Sequence, residues 1–174
     1  SVLHASLSTD QKNKIFELLL ERLKNETTRV AAIKTLSKVG AAAQANEDLD
    51  LSPILNETLG ELAQLLRQQG HGLKQTSLEC LSRMVLCLGS HDMDEGLFDS
   101  VLTDLGDIIA DTDLHICHLS LSASNSILKA RPSTGTLVKS HILPAALTLS
   151  KSPLLQDPAL SSLLSLLEEM ITNK

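Results

Sequence analysis

An all-α fold, a HEAT-repeat (armadillo-like) superhelical solenoid of about four antiparallel helix pairs, is predicted by three observations. The apolar content is 43% of 174 residues, and with Trp and Tyr absent and Phe found only twice, at Phe16 and Phe98, it is nearly all Leu, Ala, Ile and Val. That composition suits helices and argues against strands, which draw on aromatic and β-branched side chains. Long segments carry apolar residues at helical spacing, separated by short polar turns. Finally, residues at i, i+3 and i+6 recur as a frame: Val30, Ile33, Leu36; Gln75, Leu78, Leu81; Ile116, Leu119, Ser122; and Leu160, Leu163, Leu166. Successive frames lie 45, 41 and 44 residues apart, within the roughly 40–47-residue period of HEAT and armadillo arrays.

The elements follow in order. Ser8 or Thr9 caps a first helix, with Asp10 complementing its dipole and Ile15, Leu18, Leu19 and Leu23 as its apolar stripe. Residues 25–28 turn the chain. A second helix is predicted to about Lys38, with Gly40 supplying the left-handed residue that ends it and residues 41–50 forming a loop. Ser52-Pro53 is a strong helix start, Ser capping and Pro at the first helical position; Ile54, Leu55, Leu59, Leu62, Leu65 and Leu66 form its buried stripe. Gly70-His71-Gly72 is read as a turn, followed by a helix carrying Leu73, Leu78, Leu81, Val85 and Leu88 to a stop at Gly89.

A third pair starts near residues 92–95, with Leu97, Val101, Leu105 and Ile108 inward and Gly106 weakening the helix by about 1 kcal/mol. Residues 111–113 turn into a helix over 114–130, closed by Arg131-Pro132. The fourth pair opens after residues 133–136 with Leu137, Val138, Ile142, Leu143 and Leu147, kinked at Pro144. Residues 150–157 turn, Asp157 caps, Pro158 begins the last helix, and 160–171 supplies its stripe. The whole chain, 1–174, is expected to be one array with repeats over about 8–40, 51–89, 92–131 and 134–174. Each pair shares its stripe with its neighbours. The start at Ser1 and the strongly apolar last helix suggest a fragment of a longer solenoid, whose uncapped ends would favour self-association.

Composition bounds function. Net charge is −6 with cations scattered, and the isoelectric point is about 5.4. Nucleic acid is therefore not an expected partner, since phosphate contacts need clustered cations and single strands need stacking rings. No apolar run reaches the ~20 residues of a bilayer span and no signal peptide opens the chain, so no membrane association and a cytoplasmic and nuclear location are expected. The three cysteines, Cys80, Cys87 and Cys117, are read as reduced core thiols; Cys80 and Cys87 lie too far apart along a helix to bridge.

Chemistry-bearing groups are few. His115-Ile-Cys-His118 places two histidines on one helical face but the thiol elsewhere, so packing is expected there in place of metal. Asp92, Asp94, Glu95, Asp99, Asp104, Asp107, Asp111 and Asp113 form a strip without a cation. It reads first as a solvated helix face and second as a docking strip for a basic partner. A calcium loop is excluded by glycine at the fifth position and Thr103 at the twelfth. Asn25-Glu-Thr27 and Asn56-Glu-Thr58 are chance glycosylation matches. No nucleophile elbow or phosphate loop appears, so no catalytic, cofactor or metal residue is assigned and the chain is not expected to be an enzyme.

Three stretches carry a family resemblance: residues 20–36 (LERLKNETTRVAAIKTL), 110–132 (ADTDLHICHLSLSASNSILKARP) and 151–164 (KSPLLQDPALSSLL). In order and spacing they resemble a segment from the second half of the cullin-associated NEDD8-dissociated (TATA-binding-protein-interacting) family. The resemblance implies a non-enzymatic scaffold that associates with unneddylated cullin–RING scaffolds and promotes exchange of substrate receptors in SCF-type ubiquitin ligases. It carries over no interface residue, so the partner-binding residues stay unknown. A HEAT adaptor of the nuclear-transport, karyopherin-like class is the alternative, to be favoured if the acidic strip takes basic targeting peptides.

Overall fold

A computed structural model describes residues 7–45, 49–88 and 95–172, without the side chain of Glu95. Among them are α1 (Thr9–Lys24), α2 (Arg29–Ala45), α3 (Ser52–Leu66), α4 (His71–Val85), α5 (Glu95–Asp107), α6 (Leu114–Ala130), a 3-10 turn (Pro132–Thr134), α7 (Gly135–His141), α8 (Leu143–Leu149) and α9 (Ala159–Thr172). They form two rows. In one, α1 lies on α3, α3 on α5 and α5 on α7; in the other, α2 lies on α4, α4 on α6 and α6 on α9. Helices of one pair meet across the rows, as α1 meets α2 and α3 meets α4. The molecule is the all-α, HEAT-like solenoid that the spacing predicts, and its core runs continuously between the rows, from Phe16 to Leu166.

Local sequence explains most boundaries. Ser8 caps α1 through a reciprocal box, its hydroxyl accepting from the Gln11 N–H while Gln11 Oε1 accepts from the Ser8 N–H, an arrangement that stabilises a helix by about 1 kcal/mol. Asp113 caps α6, its Oδ1 accepting from the Ile116 N–H at 3.0 Å. The kink expected at Pro144 divides one rod into α7 and α8 at Ile142, because proline cannot donate to the carbonyl one turn back. The eight expected helices therefore become nine among the described residues.

Several readings are corrected. Gly40 does not end α2: it is buried mid-helix, and a Cβ there would lie 3.1 Å from Met84 Sδ. Its small size serves a close approach to α4, while the alanines after it favour helix, so 41–45 is not loop. In α1 the buried side chains are Phe16, Leu20 and Leu23, whereas Ile15 and Leu18 are 42% and 48% exposed. Two registers of this leucine-rich helix satisfy the 3.6-residue period, and the one that buries the Phe16 ring prevails. Val30 is exposed as well.

Ser52 is not the cap of α3; it is the first helical residue, and its N–H donates to Asp50 Oδ1 at 2.9 Å. Gly72 belongs to α4, and only Gly70, at φ 121°, takes a conformation that disfavours a side chain. Pro158 precedes α9, and the Asp157 carboxylate accepts from the Ser161 hydroxyl where backbone capping was expected. Leu147 is 49% exposed. The expected stop at Gly89 and the start near Asp92 lie outside the described residues.

Candidate interaction surface

The acidic strip is the first candidate, and the structure uses four of its described members, Asp99, Asp104, Asp111 and Asp113, for holding repeats together, while Asp107 stays exposed. Asp104 is buried, with a side chain 3% exposed, and its Oδ1 accepts from Arg67 Nε at 2.7 Å. Asp99 Oδ1 meets His141 Nε2 at 2.8 Å, Asp111 Oδ2 accepts from Ser152 Oγ at 2.7 Å, and Asp113 Oδ2 meets His71 Nδ1 at 2.7 Å. These partners lie 42, 37, 41 and 42 residues from Asp99, Asp104, Asp111 and Asp113, one repeat away. The strip is therefore neither a plain solvated face nor a row of free carboxylates. Asp92 and Asp94 lie outside the described residues. The Asp113 carboxyl is held below the usual carboxylate range, first by the Ile116 N–H and then by His71.

The histidines come together more than sequence spacing implies. His71 of α4 joins His115 and His118 of α6, with ring centroids 6.0 Å apart for the first pair and 6.5 Å for the second. His118 Nδ1 lies 2.7 Å from Ser162 Oγ of α9. No group of three His, Cys, Asp or Glu side chains among the described residues is arranged to hold a metal.

The thiols suit the core. Cys80 and Cys117 are buried, and burial pushes them up to about 12 and about 11 respectively, so neither offers a thiolate at neutral pH. Half-buried Cys87 donates from Sγ to the Gly40 carbonyl at 3.3 Å. Of the glycosylation matches, Asn25 is engaged in its turn, its Oδ1 accepting from the N–H and hydroxyl of Thr27, and Thr58 is buried. No described helix is long and apolar enough to cross a membrane.

What sequence reasoning missed is a cleft of about 580 Å³ between α2 and α4. Lys34, Lys38 and Arg83 stand around a floor of Ser37, Ala41 and Thr76, with Gln75 and Glu79 completing the lining. Lys38 and Arg83 are 45 residues apart, the offset of the first two frames. A signal was therefore present, but it appears only when cations, and not apolar residues, are compared across repeats.

The chain matches no family model. It is 37% identical over 158 residues to cullin-associated NEDD8-dissociated protein 1 of Dictyostelium discoideum and 30% identical over 154 residues to the protein of that name from Drosophila melanogaster. Cullin-associated NEDD8-dissociated protein 2 of Mus musculus is 32% identical over 154 residues. Each alignment covers 88% of this chain but only 12% of the relative. Over nearly its whole length the chain is thus similar to a short segment of much larger proteins.

Proposed function

We propose, from its similarity to a segment of the cullin-associated NEDD8-dissociated proteins, that this chain is a non-enzymatic stretch of scaffold serving cullin association. The single observation that carries the reading is the 30–37% identity along 88% of the chain to proteins bearing that name. The two-row architecture suits such work, because helices stacked side by side present an extended surface in place of an enclosed active site. We further propose that the four repeats span 8–40, 51–89, 92–131 and 134–174, that the partner is a cullin–RING scaffold lacking its ubiquitin-like modifier, and that the outcome is exchange of SCF-type substrate receptors. The chain would do this in the cytoplasm and nucleus.

The test is capture of purified cullin–RING complex on the immobilised chain, with the cullin bare or carrying NEDD8. Retention of the bare complex and its loss on modification are expected. Failure to retain any bare cullin overturns the proposal, and equal retention of both forms removes its selectivity.

A further inference from the structure

We propose that the cleft between α2 and α4 is a docking site for an acidic segment of a partner protein. The proposal stands on the residues of the cleft and not on the similarity to other proteins. The chain has a net charge of −6, yet this cleft is lined by three cations, Lys34, Lys38 and Arg83, and one carboxylate, Glu79. The carboxylate is already engaged, Glu79 Oε1 accepting from Gln75 Nε2 at 3.0 Å.

The cations of the cleft differ from several elsewhere. Lys24 is paired with Glu57, Arg67 with Asp104 and Lys129 with Glu169, and Arg29 donates from Nη1 to Gln68 Oε1. Among the described residues, the charged groups of Lys34, Lys38 and Arg83 make no ion pair and no side-chain hydrogen bond. With Glu79 the one opposing charge in the lining, the cleft carries an excess of positive charge that a carboxylate-bearing occupant would complement.

The shape fits a peptide chain. Ser37, Ala41 and Thr76 are short, so they leave room between the longer side chains, and about 580 Å³ accommodates several side chains. Gln75, whose Nε2 donates to Glu79, keeps its amide oxygen, and with the Ser37 hydroxyl it supplies neutral hydrogen-bonding groups for a backbone. A nucleic acid is the less favoured polyanion, because the lining contains no aromatic ring on which a base could stack. The cleft is also built into the frame: Gly40 sets how closely α2 approaches α4, and Gln44 Nε2 donates to the Arg83 carbonyl at 3.1 Å.

The experiment is fluorescence anisotropy with a labelled peptide of alternating Glu and Ala, its Gln-for-Glu counterpart and an oligothymidine of matched charge, each titrated with the chain at low and physiological salt. The Glu peptide is expected to bind, more weakly as salt rises, and the Gln peptide not to bind. The triple variant Lys34→Ala, Lys38→Ala, Arg83→Ala is expected to lose about tenfold in affinity, the size expected for several exposed charge pairs. Glu79→Gln is expected to gain about twofold by removing the one opposing charge, a result that misfolding cannot imitate. Lys14→Ala with Arg22→Ala, exposed cations of α1, should change nothing. Unaltered binding by the triple variant, an equal loss in the α1 variant, or oligothymidine binding as tight as that of the peptide would overturn the proposal.

Discussion

Two joints of the same row, α2 on α4 and α6 on α9, occupy equivalent places in the repeat and are made of different chemistry. In the first, Gly40 admits Met84 at close range, and the polar contacts, from Cys87 Sγ to the Gly40 carbonyl and from Gln44 Nε2 to the Arg83 carbonyl, end on backbone. In the second, side chain meets side chain: His118 Nδ1 with Ser162 Oγ at 2.7 Å, Asn125 Nδ2 with Ser165 Oγ at 3.0 Å, and Lys129 Nζ with Glu169 Oε2 at 3.5 Å. The partners advance together along α6 and α9, as parallel helices require. A joint closed by apolar contact is sensitive to volume, while one closed by a polar ladder is directional and fixes register through bonds that are individually modest. One repeat length accommodates both.

The largest effect is expected where the first joint is emptied. Met84 is fully buried, and Met84→Ala should cost about 2–5 kcal/mol by lost burial and the cavity left behind. Urea unfolding followed by circular dichroism measures it; a cost below about 1 kcal/mol would mean that the joint is not closed by volume. Next come two glycines at close approaches in opposite rows. A Cβ on Gly106 would stand 2.5 Å from the His141 carbonyl oxygen, a backbone atom at the α7–α8 break that cannot rotate away. Gly106→Ala should therefore destabilise by about 1–3 kcal/mol. At Gly40 the obstacle is the flexible thioether of Met84 at 3.1 Å, so the helix preference for Ala offsets the crowding and Gly40→Ala should stay within about 1 kcal/mol of neutral. Reversal of that order would show that the His141 backbone yields more readily than the Met84 side chain.

These glycines also mark what the sequence made legible. Leucine spacing carries the helical class, the repeat length and the six large aliphatic side chains that α3 buries, though not Thr58 and Ala63 between them, because burial of large aliphatic side chains is the dominant force and its period is local. Gly40 reads as a stop because a lone glycine has the same signature whether it ends a helix or lets a neighbour close; only the position of Met84, 44 residues on, distinguishes them. The acidic strip was similarly opaque. Asp104 and Asp113 look alike in sequence, yet one is buried against Arg67 and the other caps α6 beside His71. Partners one repeat away cannot be assigned until the helices are stacked. The α2–α4 cleft is hidden in the sequence for the same reason, its cations belonging to two repeats.

A smaller effect is expected from the ladder. A double-mutant cycle on Asn125→Ala and Ser165→Ala should give a coupling of about 0.5–1.5 kcal/mol. Asn125 Oδ1 is buried without a hydrogen-bond partner among the described residues, so removing this side chain also relieves an unsatisfied acceptor and the single variant should cost little. A coupling near zero would reduce the ladder to surface decoration and leave apolar contact as the cement of both joints.

The smallest effect tests whether a polar contact between α4 and α6 responds to protons. The Asp113 carboxyl is lowered from its ordinary 3.8, first by the Ile116 N–H and then by His71. The unfolded chain therefore takes up a proton at this position before the folded one does, and the stabilisation is present above 3.8 and lost as pH falls through the lower folded value. The group is 41% exposed, so solvent keeps the contribution small. Asp113→Asn retains a side-chain acceptor for the α6 cap but cannot titrate. The difference in urea midpoint between wild type and this variant should shrink as pH falls below 3.8. A difference that stays constant would assign the whole effect of Asp113 to neutral capping, and His71→Ala would then leave the acid profile unchanged.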